Sequence, residues 1–244
     1  MRAQQTSWPV VASLALLALV VPSTAAPQST AVSRTRLPYG LTVVVRENHE
    51  SPVVAYSLMA RMGTRTETPD NAGISNLLQQ MMVGGTNTMT GEQIAEAGDR
   101  MGGTIDAYGD ADYSEIAATA LGRYWQEMLE LVGDCALNPT LPEGTLQAVR
   151  SFTVRQIRNR GDKPFDVASD RMRLDLFGTN PYAWDPLGRR ESVEKIDRDA
   201  LVAYYRRFYV PSHLVLAVSG DVKTSEVIVQ AQRIFGLLKP VKAD

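Results

Sequence analysis

Residue types that usually carry chemistry are scarce in this chain. It has two histidines, His49 and His213, and one cysteine, Cys135. His49 falls in a polar turn and His213 at the start of an apolar stretch, far apart in sequence. Cys135 lies in an apolar helical run, where a thiol acts as a small buried hydrophobe, and a lone cysteine forms no internal disulfide. Asp110, Asp112 and Glu115 lack the full spacing of a calcium-binding hand and read as a solvated hairpin turn. No His/Cys/Asp/Glu set with metal-ligand spacing stands in the sequence.

The elements around these residues follow from periodicity. Ile74, Leu77, Leu78, Met81 and Met82 recur at helical spacing, and Gly84-Gly85 ends that helix. Thr90, with Gln93 three residues later, forms a capping box for the next helix, which stops at Gly102-Gly103. Before them, residues 41–46 and 53–62 read as strands separated by a turn. After them, residues 104–108 and 113–121 form an antiparallel pair around Gly109-Asp110. Helices are expected over about 123–137, 143–160 and on to Phe177, broken at Asn138-Pro139 and at 161–164. Asp197 or Asp199 caps a helix ending near Phe208. Residues 213–219 read as a strand buried on both faces, and 224–235 as a last helix. Met81, Met82 and Met101 are expected as core fillers. Such grouping predicts an α+β fold, a layered, antiparallel-rich sheet packed by helices, rather than a doubly wound parallel sheet.

The stretch Gly73-Ile74-Ser75-Asn76-Leu77-Leu78-Gln79-Gln80-Met81-Met82-Val83-Gly84-Gly85-Thr86 resembles the motif region of the pitrilysin/insulinase metallopeptidases, the inverzincins, named for H-x-x-E-H on a helix. The resemblance continues in order through Leu37-Pro38-Tyr39-Gly40-Leu41, Arg61 to Glu67, Gly102 to Tyr108, Asn138-Pro139, Asn180-Pro181-Tyr182, Leu187-Gly188 and Tyr209-Val210-Pro211 to Gly220-Asp221. It spans roughly residues 37–238 and is similar to a first unit of the mitochondrial-processing-peptidase type. In that family the two His and a distal Glu hold zinc, and the motif Glu activates the metal-bound water. Here Asn76, Gln79 and Gln80 stand in place of His, Glu and His, and the distal ligand falls at or beside Gln156; all four are neutral amides, poor zinc ligands that cannot act as a general base near neutral pH. Arg155 beside it is expected to add unfavourable positive charge. The resemblance thus implies a degenerate site with no catalytic or metal residues and no cofactor in this chain, zinc being expected in an active partner. It also implies that a peptide substrate would add as a strand at Asp106, Ala107 and Tyr108. An ordinary hairpin strand is the competing reading of that segment.

The N-terminus carries Arg2, an apolar run from Val10 to Val21, and small residues through Ala26. That is the layout of a signal peptide, too short to span a bilayer comfortably. Residues 1–26 are therefore read as a signal peptide, 27–36 as a flexible lead-in and 37–240 as the pitrilysin/insulinase-like unit, exported to a periplasm or secreted. A net charge of −2 without a long run of one sign gives no support to nucleic-acid binding. Three functional expectations follow. The first is a non-catalytic partner subunit of an active H-x-x-E-H peptidase, or of a second homologous unit, in peptide processing or degradation. The second is a stand-alone peptide-binding or scaffold protein. The third is an enzyme with unrecognised metal ligands.

Overall fold

The structure is a computed structural model and describes residues 31–236 and Leu238. The expected signal peptide lies outside the described residues. The chain begins with β1 (Val32–Arg36), β2 (Thr42–Glu47) and β3 (Val53–Ala60), followed by α1 (Ile74–Met82) and α2 (Gly91–Arg100). A hairpin of β4 (Thr104–Gly109) and β5 (Ser114–Leu121) leads to α3 (Trp125–Leu137), α4 (Glu143–Gly161) and α5 (Pro164–Phe177). Then come α6 (Arg190–Val193), α7 (Arg198–Phe208), β6 (Leu214–Gly220) and α8 (Thr224–Phe235).

The six strands of the described residues form one sheet in the order β1-β2-β6-β3-β5-β4. Every neighbouring pair is antiparallel except β2 with β6. The fold is therefore the expected α+β type. The late strand β6 is inserted between β2 and β3, which brings residues near position 210 beneath α1. β4 closes one edge and, among the described residues, has β5 as its only neighbour in the sheet.

Helices cover one face of this sheet. Val43 and Val45, Val54, Tyr56 and Leu58, Ile116 and Ala118, and Leu216 and Val218 point into the core on alternate strand positions. Their neighbours Val44, Ser57, Ala117 and Ala217 point to the other face and stay partly exposed. The strand β6 is thus buried on one face only, not on both. Its open-face residues, Val215, Ala217 and Ser219, are small or β-branched, so no polar alternation marks that face in the sequence.

A second difference concerns the lead-in. Residues 32–36, placed in a flexible segment on composition, form β1 and pair with β2 from Val32↔Arg46 to Arg36↔Thr42. Val-Ser-Arg-Thr-Arg offers little apolar surface, and its strand rests on ladder hydrogen bonds to β2 rather than on burial. Elsewhere the caps form as read. Thr90 and Gln93 exchange both capping-box bonds, and Asp197, not Asp199, accepts from the Ala200 N–H to cap α7. Cys135, Met81 and Met82 are fully buried and Met101 nearly so. Burial pushes the Cys135 thiol up to about 12.

Candidate functional site

α1 is the central helix of the molecule. Of its nine residues all but Gln80 are buried, so it is apolar on nearly every side apart from its amides. Gly73 begins it at φ +96, and a Cβ there would sit 2.7 Å from the Leu187 carbonyl oxygen. This close approach explains the Leu187-Gly188 pair. Gly188, at φ +80, lies against the Ala72 carbonyl and lets the 178–188 loop pass directly beneath the helix start.

The helix N-terminus is satisfied by a buried carboxylate. Glu67 Oε2 accepts from the Gly73 N–H at 2.8 Å and Oε1 from the Ser75 N–H at 2.9 Å. A negative charge is favoured at this end of a helix. Burial nonetheless raises the Glu67 carboxyl above its ordinary value, outweighing the two backbone donors that lower it. Tyr204 OH lies 2.9 Å from Ser75 Oγ and 2.8 Å from Thr66 Oγ1, which ties α7 to the same end.

Gln79, which the resemblance sets at the general-base position, is completely buried. Its Oε1 accepts a 3.0 Å hydrogen bond from the Tyr209 hydroxyl, itself buried and held well above the usual tyrosine range by desolvation. Asn76 is buried at the same helix face, while Gln80 is half-buried. The Nδ2 of Asn76 and the Nε2 of Gln79 have no hydrogen-bond partner among the described residues.

α4 packs against α1 and carries Gln156, half-buried, with its Oε1 likewise unpartnered. One turn earlier Thr153 is fully buried, and its hydroxyl has no partner among the described residues. Arg155 does not add charge to this region as the sequence suggested. It is exposed, and its guanidinium lies 5.8 Å from the centre of the Phe152 ring on the solvent side of α4. A residue adjacent in sequence points about 100° away on a helix, which is why the neighbourhood read from sequence fails here.

The edge strand meets this helix. A Cβ on Gly109, at the end of β4, would lie 3.5 Å from Asn76 Cα, so the edge strand ends against α1 near its first amide. Asp106 is exposed, Ala107 half-buried and Tyr108 46% exposed. Tyr108 donates to Glu115 Oε2 at 2.5 Å, and this bond pushes the phenol up to about 12. Of the three acidic residues read as a solvated turn, Asp110 and Asp112 are exposed but Glu115 is not. Glu115 is buried under Tyr108, Asp110 accepts from the Ala111 N–H, and Asp112 faces Arg65 and Tyr182.

The structure thus sets the two amide-bearing helices side by side and the edge strand against one of them. The donor set does not suit zinc. It offers neutral amides in place of imidazole and carboxylate, the base position is engaged by Tyr209, and two of the unpartnered atoms are N–H donors. Among the described residues no group of three or more His, Cys, Asp or Glu is placed to hold a metal.

The family model described as Insulinase (Peptidase family M16) matches residues 42–185, and the one described as Peptidase M16 inactive domain matches residues 195–243. The chain belongs to peptidase family M16. It is similar to an uncharacterized zinc protease of Bacillus subtilis, 28% identical over 197 residues, covering 81% of this chain and 48% of the relative. It is also similar to an uncharacterized zinc protease of Mycobacterium leprae, 29% identical, covering 86% of this chain and 47% of the relative. Among solved structures, a peptidase M16 inactive domain from Pseudomonas fluorescens superposes with a TM-score of 0.82 at 21% identity, over 88% of this chain and 52% of that one. The periplasmic protease PqqL from Escherichia coli gives 0.79 at 20% identity, over 89% of this chain and 25% of that one. The M16 unit described here spans about half the length of the curated relatives it matches.

Sequence reasoning named the amide positions and missed Tyr209, which bonds Gln79, and Glu67, which caps the start of α1. Tyr209 and Glu67 both fall inside stretches that carry the M16 resemblance, Tyr209-Val210-Pro211 and Arg61 to Glu67. That was the available signal, but neither residue's contact to α1 is written in local spacing.

Proposed function

We propose that this M16 unit is non-catalytic and serves as the partner subunit of an active H-x-x-E-H peptidase in peptide processing or degradation. One observation carries the reading. The position from which a base would have to act holds a fully buried amide whose oxygen is bonded to Tyr209. A neutral amide so fixed takes up no proton from water. The match to the M16 inactive-domain model supports the same conclusion. Zinc then belongs to the active partner, and this chain requires no cofactor. Its contribution is surface. A peptide would pair with the β4 edge at Asp106, Ala107 and Tyr108, and the unit would complete the enclosure that orients the substrate.

The test is to express an active H-x-x-E-H unit alone, with this chain, and with this chain carrying Ala107→Pro, which disturbs pairing at the edge. The partner alone should lose most peptide cleavage while keeping its zinc. Full activity from the partner alone would sink the subunit role and leave a peptide-binding scaffold as the better reading.

Export is part of the proposal. The basic start, the apolar run and the small residues at 25–26 support a cleaved signal, and PqqL is described as periplasmic. N-terminal sequencing of the exported protein should find Pro27 or a close neighbour. Met1 at the mature terminus would remove the claim.

A further inference from the structure

The direction in which β4 turns its backbone follows from its hydrogen bonds. In an antiparallel ladder the N–H and C=O of successive residues turn alternately toward the partner strand and away from it. The Thr104 N–H donates to Thr119 Oγ1 on β5 at 3.2 Å, and the Asp110 N–H to the Tyr113 carbonyl at 2.9 Å. The even-numbered residues of β4 therefore turn their backbone toward β5. Ile105, Ala107 and Gly109 turn theirs outward, to the side on which no strand pairs among the described residues. A peptide added at this edge exchanges main-chain bonds with Ala107. Its residue opposite Ala107 shares the helix-side face, and the residues before and after that one lie on the open face, opposite Asp106 and Tyr108. Asp106 is exposed and makes no hydrogen bond or ion pair among the described residues. The other carboxylates of the hairpin are engaged. Glu115 is buried and accepts from Tyr108, Asp110 accepts from the Ala111 N–H, and Asp112 pairs with Arg65. The Tyr108 ring, held by its bond to Glu115, stays 46% exposed. A free carboxylate beside a fixed ring suits a cation.

We propose that the β4 edge selects peptides that carry lysine or arginine next to the residue paired with Ala107, and that Asp106 sets this preference. The cation projects onto the open face. Its apolar stem lies along the exposed Tyr108 ring and its head reaches the Asp106 carboxylate. Opposite charges directly across a ladder favour pairing and like charges oppose it, so glutamate at the same position is rejected. For exposed side chains the preference for lysine over glutamine amounts to at most about fivefold in affinity, and salt reduces it. The inference rests on the reading of the β4 edge as the peptide site and adds to it the chemistry of the peptide.

The experiment is fluorescence anisotropy of labelled nonapeptides of threonine and valine, with lysine, glutamine or glutamate at both residues flanking the centre. Each is titrated with the wild-type chain and with Asp106→Asn, Asp106→Lys and Ala107→Pro. Thermal transitions matching the wild type establish that the two Asp106 variants fold. The wild type should bind the lysine peptide most tightly and the glutamate peptide least, and the difference should fade in raised salt. Asp106→Asn should bring the three affinities together, and Asp106→Lys should reverse their order. Ala107→Pro removes an outward N–H and spares the bonds to β5, so it should weaken all three alike. Peptides that bind and weaken with Ala107→Pro, but show no order among themselves, overturn the charge selection and leave the edge reading standing. An order that persists in Asp106→Lys also overturns it, because another group then does the selecting. Binding of no peptide at all removes the edge reading, and this inference with it.

Discussion

The hydroxyl of Tyr209 donates a 3.0 Å hydrogen bond to Oε1 of Gln79, across 130 residues of sequence and in a fully buried setting. The bond joins the C-terminal flank of α7 to the middle of α1. It gives Gln79 a structural role at the position where the family pattern asks for a base. Removing the hydroxyl leaves a buried acceptor unpaired, which costs about 1–3 kcal/mol. Tyr209→Phe should therefore lower the denaturation midpoint in urea without changing the slope. Adding Gln79→Leu should recover part of the loss, because both partners are then apolar. Equal and additive losses would show that the bond carries no coupling.

A second prediction concerns Glu67. Burial raises this carboxyl above the ordinary range even though the Gly73 and Ser75 N–H groups favour its ionised form. A raised folded-state value means that the native fold prefers the protonated group. The stability linked to it is complete below about pH 4 and is lost as pH rises through the folded value. Glu67→Gln is neutral throughout and lacks this dependence. It should be the less stable protein in acid, by about 1 kcal/mol for one impaired capping bond, and the gap should narrow as pH rises. Thermal midpoints of the two proteins at a series of pH values measure it. A gap that widens toward neutral pH would contradict the raised value.

Metal affinity provides a third. Asn76→His, Gln79→Glu and Gln80→His together supply two imidazoles on one face of α1, but α4 still offers only Gln156. This triple variant should not retain stoichiometric zinc through dialysis. Adding Gln156→Glu should raise zinc content toward one equivalent by elemental analysis, because α1 and α4 already pack together. The Gln79→Glu change also buries a carboxyl against Tyr209, so apo forms of both variants should melt below the wild type. Stoichiometric zinc in the triple variant would show that the distal ligand lies elsewhere than Gln156.

The fold was legible wherever local chemistry was strong. The α1 periodicity, the Thr90–Gln93 box and the β4–β5 hairpin all follow from spacing, and each forms. β1 escaped because an edge strand stabilised by pairing has no apolar alternation to announce it. β6 reads from sequence as a buried strand because Val215 and Ala217 look like core residues, yet they face the open side. The amide positions of the candidate site were legible through family resemblance. Their surroundings were not. The Tyr209–Gln79 bond and the outward turn of Arg155 depend on which helix faces meet in three dimensions.

The last prediction concerns α5, whose amphipathicity is reversed. None of its residues is buried. Phe165, Met172 and Leu176 follow one another at i, i+7 and i+11 along one stripe and are 81%, 57% and 69% exposed. The side turned toward the rest of the chain is charged instead. Arg160 at the end of α4 contacts Asp170 at 2.8 Å and Asp185 at 3.0 Å, and Arg173 contacts Asp170 and, at 3.2 Å, Asp185. Asp185 is 17% exposed and also accepts from the Leu187 N–H at 3.0 Å, so it binds α4, α5 and the loop beneath α1 together. Hydrophobic burial thus contributes little to holding α5, and the carboxylate cluster contributes much. Phe165→Ser with Leu176→Ser should leave the unfolding free energy within about 0.5 kcal/mol of wild type, as for ordinary surface changes. Asp185→Ala should cost about 1.5–3 kcal/mol, the range for hydrogen bonds to charged groups. It should also raise hydrogen exchange across residues 164–177 more than across α1. A large loss from the two serine substitutions would mean that the stripe is covered in solution, and sedimentation of the same proteins would show whether a second chain covers it.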